Sequence, residues 1–169
     1  RVKMFLTESL SAHNQCFMRE TQRTIVAALI FSKDGKLLMG RKDPTHGGVY
    51  PNAWHIPGGG VDENETFERA LEREVKEETG IDISLCRVVP LNFVRSGSAE
   101  RTLQETGERV LCHMTFNYFE VYIDDKNADD IDIRLGDDLV EAKWFDREEL
   151  LTVEHTPGGK EFFEEMGYI

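Results

Sequence analysis

An acidic segment in the first half of the chain has the residue types that metal chemistry requires. Residues 73–80 read REVKEETG and place three glutamates within five positions, close to the predicted end of a helix. If residues 65–79 are helical, Glu74 and Glu78 lie one turn apart near the middle of the apolar arc, with Glu77 at its edge. A carboxylate that faces a core must be neutralised, paired or bound to a cation, because burying an isolated charge is very costly.

We expect too few side-chain cations near these glutamates to balance their charge. We expect Arg73 to reach Glu65 or Glu77 and to point away from Glu74 and Glu78. A hard divalent cation such as Mg²⁺ or Mn²⁺ would accept several carboxylates together with water and phosphate oxygens. The segment therefore predicts a divalent metal site.

The glycine-rich stretch before the helix can bring a backbone carbonyl to the same ion. From Gly59 to Ile81 the residues follow the pattern G-x5-E-x7-R-E-U-x-E-E-x-G-U, where U is aliphatic, and every fixed position is filled. This stretch resembles the Nudix box, and the resemblance extends over most of residues 20–150. Agreement at nine specified positions with fixed spacing is far more specific than a short glycine motif.

The resemblance implies a fold, an activity and a set of site residues. The implied fold is α/β (α+β), a Nudix-type α/β/α sandwich with a mixed β-sheet. The implied enzyme is a Nudix pyrophosphohydrolase that uses Mg²⁺, or Mn²⁺ as the alternative. It would hydrolyse the pyrophosphate linkage of a nucleoside diphosphate derivative, either a nucleotide sugar or a nucleoside triphosphate, by attack of water at phosphorus. By position, Glu74 would be the base, Arg73 and Glu65 would form an orienting salt bridge, and the metal ligands would be Gly58, Glu74, Glu77 and Glu78.

Residues outside the box are candidates for completing the site. Asp138 is the predicted additional metal ligand, from its spacing before residues 140–145, and Asp137 and Glu105 are the alternatives. Substrate contacts need cations for phosphate and aromatic rings for a base or sugar, although core packing is the favoured role for Trp54. The predicted substrate-binding residues are Arg41, Tyr50, Trp54 and Arg95.

The order of predicted elements favours a mixed sheet with helices on its faces. Apolar and β-branched runs predict strands at residues 24–31, 36–42, 81–94, 109–123 and 139–145. The predicted helices are residues 65–79, 147–151 and 160–166. Asp62 with Glu65 is read as the capping signal of the first helix and Gly80 as its stop, and residues 95–108 as a polar loop.

Length and charge limit the organisation and partners of the chain. Its 169 residues predict one domain at residues 23–169, preceded by an N-terminal extension at residues 1–22 that could add a strand or join a homodimer interface. The formal net charge of −12 repels nucleic acid and anionic membranes, and any phosphate-bearing substrate would need metal ions to offset that field. The small-molecule nucleotide substrate is what the resemblance implies. Three widely spaced cysteines and the lack of a long apolar run favour a cytoplasmic protein.

Two other functions stay open at this point. A nucleotide-sensing Nudix-like domain would bind its ligand without cleaving it, and loss of one box glutamate would be its expected mark, whereas all three are present. An isoprenoid-diphosphate isomerase would need an active-site cysteine, and Cys86 and Cys112 lie in β-rich segments without a supporting motif.

Overall fold

The computed structural model describes residues 18–42, 53–103, 106–136 and 139–169. The strands in these ranges are β1 (Arg19–Ser32), β2 (Leu37–Lys42), β3 (Trp54–His55), β4 (Gly58–Gly60), β5 (Arg87–Thr102), β6 (Arg109–Ile123) and β7 (Leu139–Phe145). The helices are α1 (Phe67–Thr79), α2 (Arg147–Leu150) and α3 (Gly159–Glu165), with a short 3-10 turn at Ala128–Asp130. The predicted strands at 109–123 and 139–145 are confirmed to the residue.

In the described part of the chain, a single mixed sheet contains all seven strands. β1 pairs in parallel with β6 along its whole length, while its other edge pairs antiparallel with β4 at residues 25–27 and with β2 at Phe31. β2 continues the sheet to β3 and β7, and β5 lies antiparallel beyond β6. The predicted mixed sheet is confirmed. Pairing with the central strand β1 places the glycine strand β4 beside the first helix.

Each face of the sheet has its own apolar core because the side chains of β1 alternate between them. Val26, Ala28 and Ile30 pack with Leu71 and Val75 of α1 on one face. On the other face, Leu29 belongs to a cluster with residues from β2, β7, α2 and α3, namely Leu37, Met39, Phe145, Leu150, Phe162 and Phe163. Helices therefore cover both faces, as expected for the predicted α/β/α sandwich.

The first helix begins later than its sequence predicts. Thr66 is the N-cap, and its side-chain hydroxyl accepts a hydrogen bond of 3.3 Å from the backbone N–H of Arg69. The expectation that Asp62 caps the helix is wrong: the Asp62 backbone N–H donates to the Glu65 side chain in a turn that precedes it. The helix ends as predicted at Gly80, which adopts φ 73°, a left-handed conformation that suits glycine.

The predicted loop at residues 95–108 is wrong in its first half. β5 continues to Thr102, and residues 94–102 pair one by one with β6. Side-chain exposure alternates along this stretch, so its polar residues occupy a half-exposed strand surface. Pairing with a neighbouring strand has overridden the low strand propensity of the local sequence.

β1 begins at Arg19 and thus crosses the predicted boundary between residues 22 and 23. Most of the predicted extension, residues 1–17, lies outside the described residues, so an added strand, a homodimer contact and the proposed domain boundary stay predictions. Within the described ranges, no helix has the length and apolarity needed to cross a membrane.

Candidate active site

Helix α1 turns two carboxylates toward the sheet. Glu74 is 9% exposed and Glu78 is 1% exposed, and both lie among the buried residues of α1 with Ala70, Leu71 and Val75. The prediction that these two glutamates occupy the core-facing side is confirmed. Glu77 lies at the surface, with 55% of its side chain exposed. The cluster therefore has two buried members and one that is accessible to solvent.

The glycine strand β4 lies against both buried carboxylates. The backbone N–H of Gly58 donates a 3.0 Å hydrogen bond to Oε2 of Glu78. Gly58 has φ 149°, and a Cβ at this position would lie 2.1 Å from the carbonyl oxygen of Val26. A Cβ on Gly59 would lie 2.2 Å from Oε2 of Glu74. Backbone atoms of β1 thus exclude a side chain at Gly58, whereas a side chain at Gly59 would require the Glu74 carboxylate to shift.

Arg73 organises the solvent side of the cluster. Its guanidinium donates two bonds to Glu65, from Nε at 2.9 Å and from Nη2 at 2.7 Å, and Nη2 also donates to the carbonyl oxygen of Gly60 at 2.8 Å. Nη1 donates to Oε1 of Glu74 at 2.7 Å and lies 3.4 Å from Oε2 of Glu77. The expectation that Arg73 points away from Glu74 is wrong, because Glu65 and Gly60 hold the guanidinium with its third nitrogen facing Glu74.

The ion pair between Arg73 and Glu65 shifts the pKa of both side chains. Hydrogen bonds from Arg73 favour the charged form of Glu65 and lower the pKa of its carboxyl group to about 2. The same bonds, followed by the contact with Glu74, raise the pKa of Arg73 further above its ordinary value. The salt bridge predicted between Arg73 and Glu65 is thus present and has bidentate geometry, which fixes the direction of the guanidinium.

Lys42, the last residue of β2, was not identified from the sequence. Its ammonium nitrogen lies 3.3 Å from Oε1 of Glu78. Together with Arg73 it places a positive charge on each buried glutamate, so the expectation of too few nearby cations is also wrong. A lone lysine at the end of a strand carries no spacing signal, because the contact depends on how β2 packs beside α1.

The acidic cluster suits a hard divalent ion in its chemistry, although its side chains are not gathered around one point. Among the described residues, no three His, Cys, Asp or Glu side chains converge as a ready cation site. The donors are carboxylate oxygens beside glycine backbone, which are the ligand types that Mg²⁺ and Mn²⁺ take in proteins. Joint ligation by Glu74, Glu77 and Glu78 therefore requires side-chain rotation on α1.

The predicted substrate-binding residues fall into two separate places. Arg41 of β2 is paired with Trp54 of β3 in the sheet, and its guanidinium lies 5.5 Å from the centre of the Trp54 ring. The same guanidinium forms an ion pair with Glu141. Trp54 also meets Phe145 edge-on at 4.8 Å, so its indole is part of the core boundary. Substrate contact by Arg41 and Trp54 stays a prediction.

Arg95 lies on the other side of the molecule from α1, beside α3. It donates to the carbonyl oxygen of Gly158 at 2.7 Å and to Glu165 at 2.9 Å, and it packs over Phe93 and Phe162. Its predicted contact with substrate stays a prediction as well. The remaining predicted residues, Tyr50, Asp138, Asp137 and Glu105, lie outside the described residues.

Comparison with known proteins agrees with this arrangement. The family model described as NUDIX domain matches residues 21–166. Nucleoside triphosphatase NudI of Salmonella agona (strain SL483) is 34% identical over 129 residues, which cover 76% of this chain and 85% of the relative.

Two solved structures share the fold at low identity. The Escherichia coli dihydroneopterin triphosphate pyrophosphohydrolase has a TM-score of 0.62 at 19% identity and aligns over 84% of this chain and 92% of its own. The NUDIX domain of Shewanella oneidensis NrtR, complexed with ADP ribose, has a TM-score of 0.62 at 15% identity over 86% of each chain. The family model spans nearly the whole sheet, the box is complete, and two of its glutamates, Glu74 and Glu78, are buried, so the chain belongs to the Nudix family of pyrophosphohydrolases.

Proposed function

We propose that this enzyme hydrolyses the pyrophosphate linkage of a nucleoside triphosphate in a reaction that depends on a divalent metal ion. The observation that carries the proposal is the burial of Glu74 and Glu78 on α1 against the glycines of β4. The similarity to the NudI nucleoside triphosphatase favours a nucleoside triphosphate over a nucleotide sugar.

The proposed metal ligands are the three box glutamates, Glu74, Glu77 and Glu78, with the carbonyl of Gly58 and, outside the described residues, Asp138. A bound Mg²⁺ or Mn²⁺ would neutralise charge on the phosphate oxygens and make a coordinated water more acidic. The formal net charge of −12 makes such neutralisation necessary, because the protein's own field repels a polyphosphate.

The chain's own residues supply proton transfer and orientation. Glu74 is the proposed base and takes a proton from the attacking water, while the water oxygen bonds to phosphorus and the bond from that phosphorus to the bridging oxygen breaks. Arg73 holds Glu74 at 2.7 Å while it is itself fixed by Glu65 and by the carbonyl of Gly60, so the base has a defined direction before substrate arrives. Arg73 and Glu65 thus act as positioning residues.

Contacts to the rest of the substrate are proposed for residues outside the box. Arg41 is proposed to reach phosphate oxygens, and Trp54 and Tyr50 to stack on the base or sugar. The contacts of Arg95 join β5 to α3, so its proposed role is structural, and its predicted contact with substrate would appear as a rise in KM when Arg95 is replaced.

A phosphate-release assay against several substrate classes tests the proposal. The panel contains nucleoside triphosphates, nucleotide sugars, ADP-ribose and dinucleoside polyphosphates, each measured with Mg²⁺ and with excess EDTA. We expect the highest kcat/KM for a nucleoside triphosphate, loss of turnover in EDTA and recovery when Mg²⁺ is restored.

Three outcomes of this assay would contradict parts of the proposal. A higher kcat/KM for a nucleotide sugar would reject the substrate class. Undiminished turnover in EDTA would reject the metal. Tight nucleotide binding without turnover of any compound would favour the sensing domain over the enzyme.

A further inference from the structure

The contact between Lys42 and Glu78 joins a basic residue outside the box to its most deeply buried acid. We propose that Lys42 is a built-in counter-ion that pairs with the buried carboxylate of Glu78 in the metal-free enzyme and competes with the divalent ion for it. The competition rests on the proposed function, because it requires Glu78 to be a metal ligand. The counter-ion role itself depends only on the protein.

Both oxygens of the Glu78 carboxylate have a defined neighbour. Oε2 accepts from the backbone N–H of Gly58 at 3.0 Å, and Oε1 lies 3.3 Å from the ammonium of Lys42. Only 1% of the Glu78 side chain is exposed, so solvent contributes little to stabilising its charge. The Lys42 ammonium, within ion-pair distance, offsets this loss of hydration. Removing it would leave the buried Glu78 carboxylate with less compensating positive charge.

The two cations of the cluster differ in how readily they can leave it. Arg73 is held by both oxygens of Glu65 and by the carbonyl of Gly60, so its position does not depend on Glu74 alone. The two side chains are equally exposed, at 28% each, but Lys42 carries its charge as a single ammonium at the end of a flexible stem. An ammonium is also strongly hydrated, so movement of Lys42 into solvent costs less than movement of Arg73.

This difference assigns separate roles to the two residues. Arg73 stays in place and orients the cluster, whereas Lys42 occupies the neighbourhood of Glu78 until a divalent ion arrives. Two cations near one carboxylate repel each other, so a divalent ion bound by Glu78 would weaken the contact with the ammonium. Lys42 therefore lowers the metal affinity of the enzyme while stabilising its metal-free state.

Thermal unfolding in EDTA tests the counter-ion role. Lys42→Met is compared with Lys143→Met, which removes another lysine–glutamate pair, at 2.7 Å, whose glutamate side chain is 40% exposed. We expect Lys42→Met to lower Tm by about 4 °C or more and Lys143→Met by about 1 °C, since exposed ion pairs contribute little. In a Glu78→Gln background, Lys42→Met should cause a clearly smaller loss than in the wild type, because the buried charge that it balances is gone.

Titration with Mn²⁺ alone, followed by calorimetry, tests the competition. We expect Lys42→Met to lower the Kd for Mn²⁺ by about tenfold, because a positive charge next to a ligand is removed, and Lys42→Arg to stay near the wild-type value. An unchanged or higher Kd for Lys42→Met would overturn the competition.

The two measurements separate failure of this inference from failure of the proposed function. A wild-type protein that does not bind Mn²⁺ would overturn the proposed metal site and the competition together. Equal Tm losses for Lys42→Met and Lys143→Met in EDTA would overturn the counter-ion role, whatever the metal titration shows.

Discussion

Arg73 and Arg95 are almost equally exposed, with 28% and 29% of their side chains accessible, and they lie in opposite halves of the sandwich. Arg73 on α1 is surrounded by the carboxylates of Glu65, Glu74 and Glu77. Arg95 on β5 meets one carboxylate, one carbonyl and two aromatic rings. The same side chain therefore organises an acidic cluster in one half and fastens a helix to a strand in the other.

The comparison shows that the residues around a guanidinium determine what it does. Where several acids converge, Arg73 fixes their directions and balances part of their charge. The planar guanidinium of Arg95 instead stacks on Phe93 and Phe162 and donates a hydrogen bond to the backbone carbonyl of Gly158, just before α3. Replacing Glu74, the carboxylate that Arg73 orients, should thus change chemistry more than stability, and replacing Arg95 should do the reverse.

The largest effect is expected from Glu74→Gln. The amide keeps the size of the carboxylate and can still accept from Arg73, but it cannot take a proton from water, so kcat should fall by about 100-fold or more. Circular dichroism and Tm should remain close to wild type. Steady-state kinetics with the best substrate of the panel measure the loss.

Glu72→Gln is the matched control for this variant. Glu72 lies on the same helix with an exposed side chain, and its replacement should leave kcat unchanged. Near-wild-type turnover by Glu74→Gln would reject Glu74 as the base, and an equal loss in Glu72→Gln would point to a general effect of charge on α1.

A smaller effect, and one on stability, is expected from Arg95→Met. Methionine preserves the apolar stem against Phe93 and Phe162 but loses both hydrogen bonds, so the free energy of unfolding should fall by about 1–2 kcal/mol. KM should not change, because the contacts of Arg95 are with α3. Urea denaturation and steady-state kinetics measure the two quantities.

Arg134→Met provides the comparison for Arg95→Met. Arg134 pairs with Asp132 at the surface, with 82% and 75% of the two side chains exposed, and its loss should change stability by less than about 0.5 kcal/mol. A rise in KM for Arg95→Met without loss of stability would restore Arg95 as a substrate-binding residue and would end the contrast between the two arginines.

The sequence predicts those parts of the site that repeat at helical spacing. Glu74 and Glu78 conflict with the apolar face of a helix, and this conflict is visible without coordinates. The contact of Lys42 with Glu78 and that of Arg73 with Glu74 depend instead on the placement of β2 and β4 beside α1, which no local pattern records. For the same reason the strand character of residues 95–102 was missed, since it comes from pairing with β6.

The smallest effect concerns acid stability and tests how firmly Arg73 is held. The pKa of Glu65 is lowered from an ordinary 4.5 to about 2, so its ion pair stabilises the folded state fully above pH 4.5 and loses that contribution as pH falls toward 2. Glu65→Gln should therefore be less stable than wild type at neutral pH, and the difference in unfolding free energy should shrink steadily through this acid range. Urea denaturation at a series of pH values measures the difference. A constant difference across that range would mean that Glu65 does not hold Arg73 through its charge, and Arg73 would then resemble Arg95 in being held mainly by neutral contacts.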